Sequence, residues 1–166
     1  MAGVSRETKK SMSIKFNSFM TNALQQAKIA FDLDEVPVGA VIVDGQTNQI
    51  IAQSYNQNIL LKDPIAHAEI LAIRDACAIK KSPRLDNCDI YVTLEPCSMC
   101  ASAISLARIR RIYYATSDPK SGGVDNGPKI FSHATCHHKP EIYSDINAEE
   151  SSQLLKDFFA RKRYTK

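Results

Sequence analysis

The chain has 166 residues, 44% of them hydrophobic and 23% charged, which fits one globular domain with a packed core. The net charge of +3 and the isoelectric point of about 8.6 are compatible with a polyanionic partner but do not by themselves indicate one. No stretch approaches the ~18 apolar residues of a membrane span, and the polar N-terminus lacks the apolar core of a secretion signal, so we expect a cytoplasmic protein with no membrane contact.

The first predicted helix follows a polar arm. Residues 1–13 are predicted to be disordered, which leaves residues 14–166 as a single domain. From Phe16 to Phe31 the apolar residues recur mainly in steps of three and four, which predicts an amphipathic helix. Pro37 comes shortly after the expected end of that helix.

A hairpin and a buried helix come next. The β-branched run at residues 38–43 predicts a buried strand, and Asp44-Gly45 opens the turn to a returning strand at residues 50–54. Residues 66–80 are apolar on most faces and predict a largely buried helix. The rest of the chain predicts a strand at 90–94, a helix at 97–108, a strand at 112–115, an irregular connection with a short helical piece at 119–140, and a final helix at 148–163. Helices and strands that alternate in this way predict an α/β sheet covered on both faces.

Five cysteines are an odd number, and in a reducing compartment they are expected to be thiols or metal ligands rather than disulfides. Cys97 and Cys100 stand out because they follow Pro96 at the start of a predicted helix. A spacing of three places both sulfurs on one face, and the free backbone N–H groups of a first turn favour thiolates. These two residues are therefore candidate metal ligands.

His67 and Glu69 are the second part of the candidate site. These residues are two positions apart, and within a helix their side chains would point about 200° away from each other. Both can reach one metal only if His67 lies at the start of its helix. Zinc takes imidazole and thiolate ligands, and a catalytic site uses three of them and leaves the fourth position for water. The spacing predicts two helix N-termini that converge on one zinc ion, with Glu69 as the acid and base that moves protons.

Each half of this pattern has other interpretations. A single C-x-x-C after a strand also occurs as a redox pair or as half of a structural zinc site. A structural site would need a fourth protein ligand, and the candidates for it are Cys88, His133, Cys136, His137 and His138. The combination of H-x-E with P-C-x-x-C across one strand is more specific, because it is the signature of zinc-dependent nucleobase deaminases.

Three longer segments resemble bacterial tRNA-specific adenosine deaminases. They are Pro37-Val38-Gly39-Ala40-Val41, His67-Ala68-Glu69-Ile70 and Thr93-Leu94-Glu95-Pro96-Cys97-Ser98-Met99-Cys100-Ala101, and residues 118–122 and 157–163 support the narrower assignment. The resemblance implies a three-layer cytidine-deaminase-like fold with a mixed five-stranded sheet between helices. It implies one Zn²⁺ per chain and conversion of adenosine to inosine at the wobble position of a tRNA anticodon. It also implies a homodimer that binds the anticodon stem-loop.

The same resemblance suggests residues that contact the substrate. Asn56 matches the asparagine that contacts the target nucleotide in the family. The other candidates are Val38 and Ala66 as pocket walls, Ala68 through its backbone N–H, Asp118 and Lys120 near the flanking nucleotides, and Phe158, Phe159, Arg161, Lys162 and Arg163 for stacking and phosphate contacts. Ser102 departs from the family's glycine, and residues 124–139 diverge, so no substrate contact is assigned to them.

Three rival functions share parts of the pattern. A deaminase of a free base or nucleoside, such as guanine or cytidine, would have the same zinc site but no need for a basic C-terminal helix. A catalytically inactive, RNA-binding deaminase-like subunit would not need Glu69. A redox protein would use Cys97 and Cys100 without binding zinc in equimolar amount.

Overall fold

The computed structural model describes the backbone of residues 6–165 and the side chains of residues 19–165. Its helices and strands, in chain order, are α1 (Arg6–Asp32), β1 (Gly39–Asp44), β2 (Gln49–Tyr55), α2 (Ala68–Lys80), β3 (Cys88–Leu94), α3 (Ser98–Leu106), β4 (Arg111–Thr116), the 3-10 helix η1 (Ile130–Ser132), β5 (Glu141–Tyr143) and α4 (Ala148–Tyr164).

The five strands form one sheet in the order β2-β1-β3-β4-β5. Strand β1 pairs antiparallel with both β2 and β3, whereas β3, β4 and β5 run parallel to one another. Helix α3 connects the parallel strands β3 and β4, as parallel pairing requires a crossover. The mixed five-stranded sheet between helices that the sequence analysis expected is therefore confirmed.

Helix α1 covers one face of the sheet. Met20, Ala23 and Leu24 are buried there against Val41 and Val43, which point to this face because side chains alternate along a strand. The start of β1 approaches α1 so closely that only glycine fits. A Cβ on Gly39 would overlap the carbonyl oxygen of Ala23 and lie 2.6 Å from the backbone nitrogen of Ala27.

Helices α2 and α3 cover the opposite face. The inward positions of α2 are Ala68, Ala72 and Ala76, all fully buried, and these small side chains let the helix lie close to β1 and β2. Ala101 and Ile104 of α3 join the same apolar cluster. The close approach of α2 and α3 to the sheet brings the N-termini of these two helices toward one place.

Three tyrosines stack across the parallel strands. The rings of Tyr91 on β3 and Tyr113 on β4 are 4.4 Å apart between centroids, and those of Tyr113 and Tyr143 on β5 are 4.9 Å apart. Phe19 of α1 contacts Tyr91 at 5.3 Å. Stacked aromatic pairs stabilise a fold beyond the free energy of burying their surface. The stack therefore stabilises the position of the short edge strand β5 on the sheet.

Two elements differ from the sequence predictions. Helix α1 begins at Arg6, so the backbone of residues 6–13 is helical where a disordered arm was expected, and residues 1–5 of that arm lie outside the described residues. No proline or glycine lies between Arg6 and Asp32 to stop the helix. Strand β5 was not predicted, because its three exposed residues are too few to show alternation.

Candidate metal centre and substrate pocket

Two helix starts carry the candidate metal ligands. His67 is the N-cap of α2 and Cys97 is the N-cap of α3, and both have extended backbone angles. The carbonyl of each accepts the first bond of its helix, from Leu71 and Ala101 respectively. An extended N-cap leaves the side chain of His67 free of the helical spacing, so it can point to the same side as Glu69.

The three ligand atoms converge at zinc-binding distances. The Nδ1 atom of His67 lies 3.6 Å from the Sγ of Cys97 and 3.5 Å from the Sγ of Cys100. A tetrahedral zinc with Zn–S of about 2.3 Å and Zn–N of about 2.0–2.1 Å requires N···S separations of about 3.6 Å. The three donor atoms and their spacing therefore fit one Zn²⁺ per chain. The trio supplies three of the four ligands of a tetrahedral zinc.

Glu69 lies beside this trio and is almost fully buried, with 4% of its surface exposed. In the metal-free protein, burial raises the pKa of its carboxyl to about 7, and the negative charge of Cys97 adds to that rise. A carboxyl group with a pKa near neutrality both accepts and donates a proton at physiological pH. Glu69 is thus placed and tuned for proton transfer rather than for a surface ion pair.

The two cysteines differ in their environments. A hydrogen bond from Cys100 and a second from His67 lower the pKa of Cys97 to about 4, which makes Cys97 a thiolate at neutral pH. The hydrogen bond to Cys97 and burial raise the pKa of Cys100. Cys100 is therefore a thiol beside a thiolate, and zinc binding would displace its proton, because thiolates are the metal ligands.

A cavity of about 340 Å³ opens next to the trio. Its lining residues are Val36, Val38, Asn56, Asn58, His67, Glu69, Leu94, Glu95, Cys97, Asp118 and Ser121. Three of the substrate contacts suggested by the resemblance line it, namely Val38, Asn56 and Asp118. Ala66 and Ala68 are fully buried and do not line it, and Lys120 is exposed outside it.

Five lining residues were not found by the sequence reasoning: Val36, Asn58, Leu94, Glu95 and Ser121. Most of them lie close in sequence to residues that were predicted. Whether such a neighbour lines the cavity depends on the path of the backbone, which the sequence alone does not show. Glu95 did carry a signal. It is a charged residue placed directly between a buried strand and the Pro-Cys motif, and it is only 2% exposed.

One of the RNA contacts predicted on helix α4, the stacking of Phe158, is wrong. Phe158 is only 3% exposed and packs edge-on against Phe31, so its ring is not available to stack on a base. The guanidinium of Arg161 lies over the Phe31 ring and pairs with Asp34 at 3.2 Å. Phe158 and Arg161 thus attach α4 to the end of α1, while Phe159 is half exposed.

The cysteine and histidines near residue 136 do not join the metal centre. Among the described residues, only His67, Cys97 and Cys100 form a group of three or more candidate ligands. Cys136 lies in hydrogen-bonding range of Ser105 at 3.4 Å, and His138 contacts the carbonyl of Ile109 at 2.6 Å. The fourth protein ligand of a structural zinc site is therefore not found in the part of the chain that is described.

A search of the described residues for membrane spans finds no helix that combines sufficient length with sufficient apolar character.

The family model of the cytidine and deoxycytidylate deaminase zinc-binding region matches residues 14–116. The tRNA-specific adenosine deaminase of Agrobacterium fabrum is 52% identical over 146 residues, which cover 87% of this chain and 94% of that protein. A solved structure from work on A-to-I editing by tRNA:A34 deaminases at the wobble position has 51% identity and a TM-score of 0.81, and the match covers 83% of this chain and 99% of the other. The guanine deaminase of Nitrosomonas europaea matches over 87% of this chain and 84% of its own with a TM-score of 0.72, but at 19% identity it shares the fold alone. The chain therefore belongs to the zinc-binding cytidine and deoxycytidylate deaminase family and, within it, to the group of tRNA-specific adenosine deaminases.

Proposed function

We propose that the protein hydrolytically deaminates adenosine to inosine at the wobble position of a tRNA anticodon. The observation that carries the proposal is the trio of His67, Cys97 and Cys100, which opens onto a cavity that also contains the buried Glu69. The 51–52% identity to proteins named for this activity supports the choice of substrate.

Zinc held by the trio would act as a Lewis acid that lowers the pKa of a water ligand toward neutrality. Glu69 supplies the proton movements of the reaction. Its carboxylate takes a proton from the water that adds to C6 of the adenine ring and passes a proton to N1. It then moves the proton of the new C6 hydroxyl to the amino group, so that the C–N bond breaks, ammonia leaves and the C6 carbonyl of inosine forms.

The remaining pocket residues are proposed to hold the nucleotide. Val38 contributes an apolar part of the lining, and Asn56 and Asp118 offer hydrogen-bonding groups to the cavity. Asn56 is itself held by Glu35, since its amide nitrogen lies 3.5 Å from a Glu35 carboxylate oxygen, and Glu35 is only 1% exposed. Pockets of this kind gain specificity from a few fixed polar groups in an apolar wall.

We propose a homodimer as the functional unit. Helices α2 and α3 cover one face of the sheet and present Ile79 and Leu106, which are 61% and 80% exposed in the single chain. Contiguous apolar patches mark subunit interfaces, and these two side chains are our candidates for such a patch. A tRNA substrate is present in the cytoplasm, and we propose that the protein acts there.

The proposal is tested by incubating the zinc-loaded protein with an anticodon stem-loop that carries adenosine at the wobble position. Free adenosine, guanine and cytidine are assayed in parallel. Inosine in the RNA alone is the expected result. Turnover of a free base or nucleoside with unchanged RNA would instead assign the protein to the free-base deaminases, and inactivity on all four with zinc bound would indicate an inactive subunit.

A further inference from the structure

Glu95 is a buried carboxylate that lies between β3 and the metal-binding helix α3, and the proposed chemistry does not use it. Only 2% of its surface is exposed, and within the described residues its carboxylate bonds to backbone N–H groups, an amide and a hydroxyl rather than to a lysine or an arginine. A buried charge without such a partner is costly unless hydrogen bonds replace its hydration. The segment that supplies these hydrogen bonds is the loop of residues 117–126, which follows β4.

The loop wraps around both oxygens of the carboxylate. One oxygen accepts from the backbone N–H of Asp118 at 3.1 Å and from the side-chain amide of Asn126 at 2.6 Å, with the Ser117 hydroxyl at 3.3 Å. The other oxygen accepts from three consecutive backbone N–H groups, those of Val124, Asp125 and Asn126, each at 3.1 Å. Hydrogen bonds to an ionised acceptor are about twice as strong as neutral ones.

Glycines let the loop approach this closely. A Cβ on Gly122 would overlap the carboxylate of Glu95, and the backbone of Gly122 forms an antiparallel bridge with Cys97. The next residue, Gly123, donates its N–H to the carbonyl of Pro96 at 2.8 Å. The loop is therefore joined both to the Glu95 side chain and to the backbone of the Glu-Pro-Cys turn.

The loop also forms one wall of the cavity. Asp118 and Ser121 line the cavity together with the metal ligands His67 and Cys97, and the side chain of Asp118 accepts the N–H groups of Lys120 and Ser121 at 3.1 and 3.0 Å. Hydrogen bonds to the Asp118 side chain thus join residues within the loop, and hydrogen bonds to the Glu95 carboxylate attach the loop to the end of β3. The wall can be correct in shape before substrate arrives, which lowers the entropic cost of binding.

We propose that Glu95 is a positioning residue that fixes the 117–126 loop, and with it the pocket wall formed by Asp118 and Ser121, and so sets affinity for the RNA substrate. The inference rests on the proposed function, because it assigns this wall to substrate binding. Glu95 acts through the loop and takes no part in the proton transfers of Glu69.

The test compares Glu95→Gln with the wild type on the anticodon stem-loop. The glutamine side chain has the same size, but its NH₂ group is a donor. This group cannot accept hydrogen bonds from the donors of the loop, so the six bonds cannot all form. We expect KM to rise about tenfold or more, kcat to stay within about threefold, and zinc content to remain at one per chain. Amide hydrogen exchange of Asp118, Val124, Asp125 and Asn126 should become faster, a readout that does not depend on activity.

Two further variants approach the same cluster from the loop. Gly122→Ala forces the carboxylate and the loop apart, and Asn126→Ala removes one donor, so KM should rise in both and less in the second. Glu141→Gln is the matched control, because it makes the same chemical change at an exposed carboxylate on β5 and should leave KM as in the wild type.

The outcomes separate the two proposals. A wild-type protein that does not deaminate the stem-loop would refute the proposed substrate, whereas the exchange measurement would still report whether Glu95 holds the loop. Unchanged KM in Gly122→Ala and Asn126→Ala, with an active wild type, would overturn the positioning role even if Glu95→Gln does not fold. Loss of zinc in step with kcat in Glu95→Gln would also overturn it, since Glu95 would then support the metal ligands instead.

Discussion

Glu69 shows how one residue can be specified by its surroundings. Its position two residues after an N-cap histidine directs its carboxylate toward the metal ligands, and its burial lifts its pKa to about 7. Neither feature depends on substrate, so the proton-transfer group is prepared in the free protein.

Replacing Glu69 by glutamine should separate metal binding from catalysis. We expect turnover of the anticodon stem-loop to fall by about 10²–10⁴-fold, because the amide cannot accept or deliver the proton. Zinc content should be unchanged, since the three ligand atoms belong to other residues. Metal analysis and single-turnover kinetics on the same preparation check both parts, and near-normal turnover in this variant would exclude Glu69 as the proton shuttle.

At the scale of elements, side-chain ties hold the turn between β1 and β2 to the end of α2. Asp44 accepts the backbone N–H groups of Gln46 and Thr47 at 2.8 and 3.2 Å and pairs with Lys80, the last residue of α2. The hydrogen bond from Lys80, with those from the turn, lowers the pKa of Asp44. A carboxyl whose pKa is lower in the folded than in the unfolded protein stabilises the fold above its unfolded pKa of about 3.9.

Asp44→Asn should therefore reduce stability in a pH-dependent way. The free energy of unfolding should be lower than in the wild type at neutral pH, because the asparagine loses the ion pair with Lys80. The difference should be constant above about pH 5 and shrink as pH falls below about 4, because Asp44 is then protonated first in the unfolded chain and only at a lower pH in the folded protein. Denaturant titrations across this range measure it, with the exposed Asp75→Asn as a control for net charge. A difference that does not change with pH would contradict this account.

Regular elements could be predicted from the sequence and connections could not. Runs and spacings of apolar residues placed α2, β3 and α4 within two residues of their observed ends, because burial in the core leaves a local signal in the sequence. The course of residues 117–126 depends on hydrogen bonds to Glu95, a contact between residues more than 20 positions apart that leaves no periodic signal. The metal trio could be predicted because its residue types and local spacings are specific, whereas in the pocket wall only Asp118 was indicated, through the resemblance.

At the scale of the whole molecule, the metal centre joins parts of the chain that are distant in sequence. His67 starts α2 and Cys97 starts α3, 30 residues later, with strand β3 between them. Zinc bound to both would therefore link two helices of one layer, and a ligand that binds only the folded state stabilises it.

Removing zinc should destabilise the entire domain. We expect a strong chelator to lower the thermal midpoint by about 10 °C or more, since metal binding is coupled to folding and about 1 kcal/mol corresponds to about 2–4 °C at this size. Re-adding Zn²⁺ should restore the midpoint. Cys100→Ala should have a low midpoint that the chelator does not change, whereas Cys77→Ala, near the far end of α2, should respond as the wild type does. An unchanged wild-type midpoint after complete zinc removal would refute the structural coupling.

The stacked tyrosines of β3, β4 and β5 have a practical consequence for spectroscopy. The chain contains no tryptophan, so these rings, fixed in a chiral array, should contribute strongly to the near-ultraviolet circular dichroism and report on packing at the parallel side of the sheet. A single tryptophan introduced at the exposed Phe159 would be the only indole in the protein. Its emission would then report on the packing of helix α4 without any background from the rest of the protein.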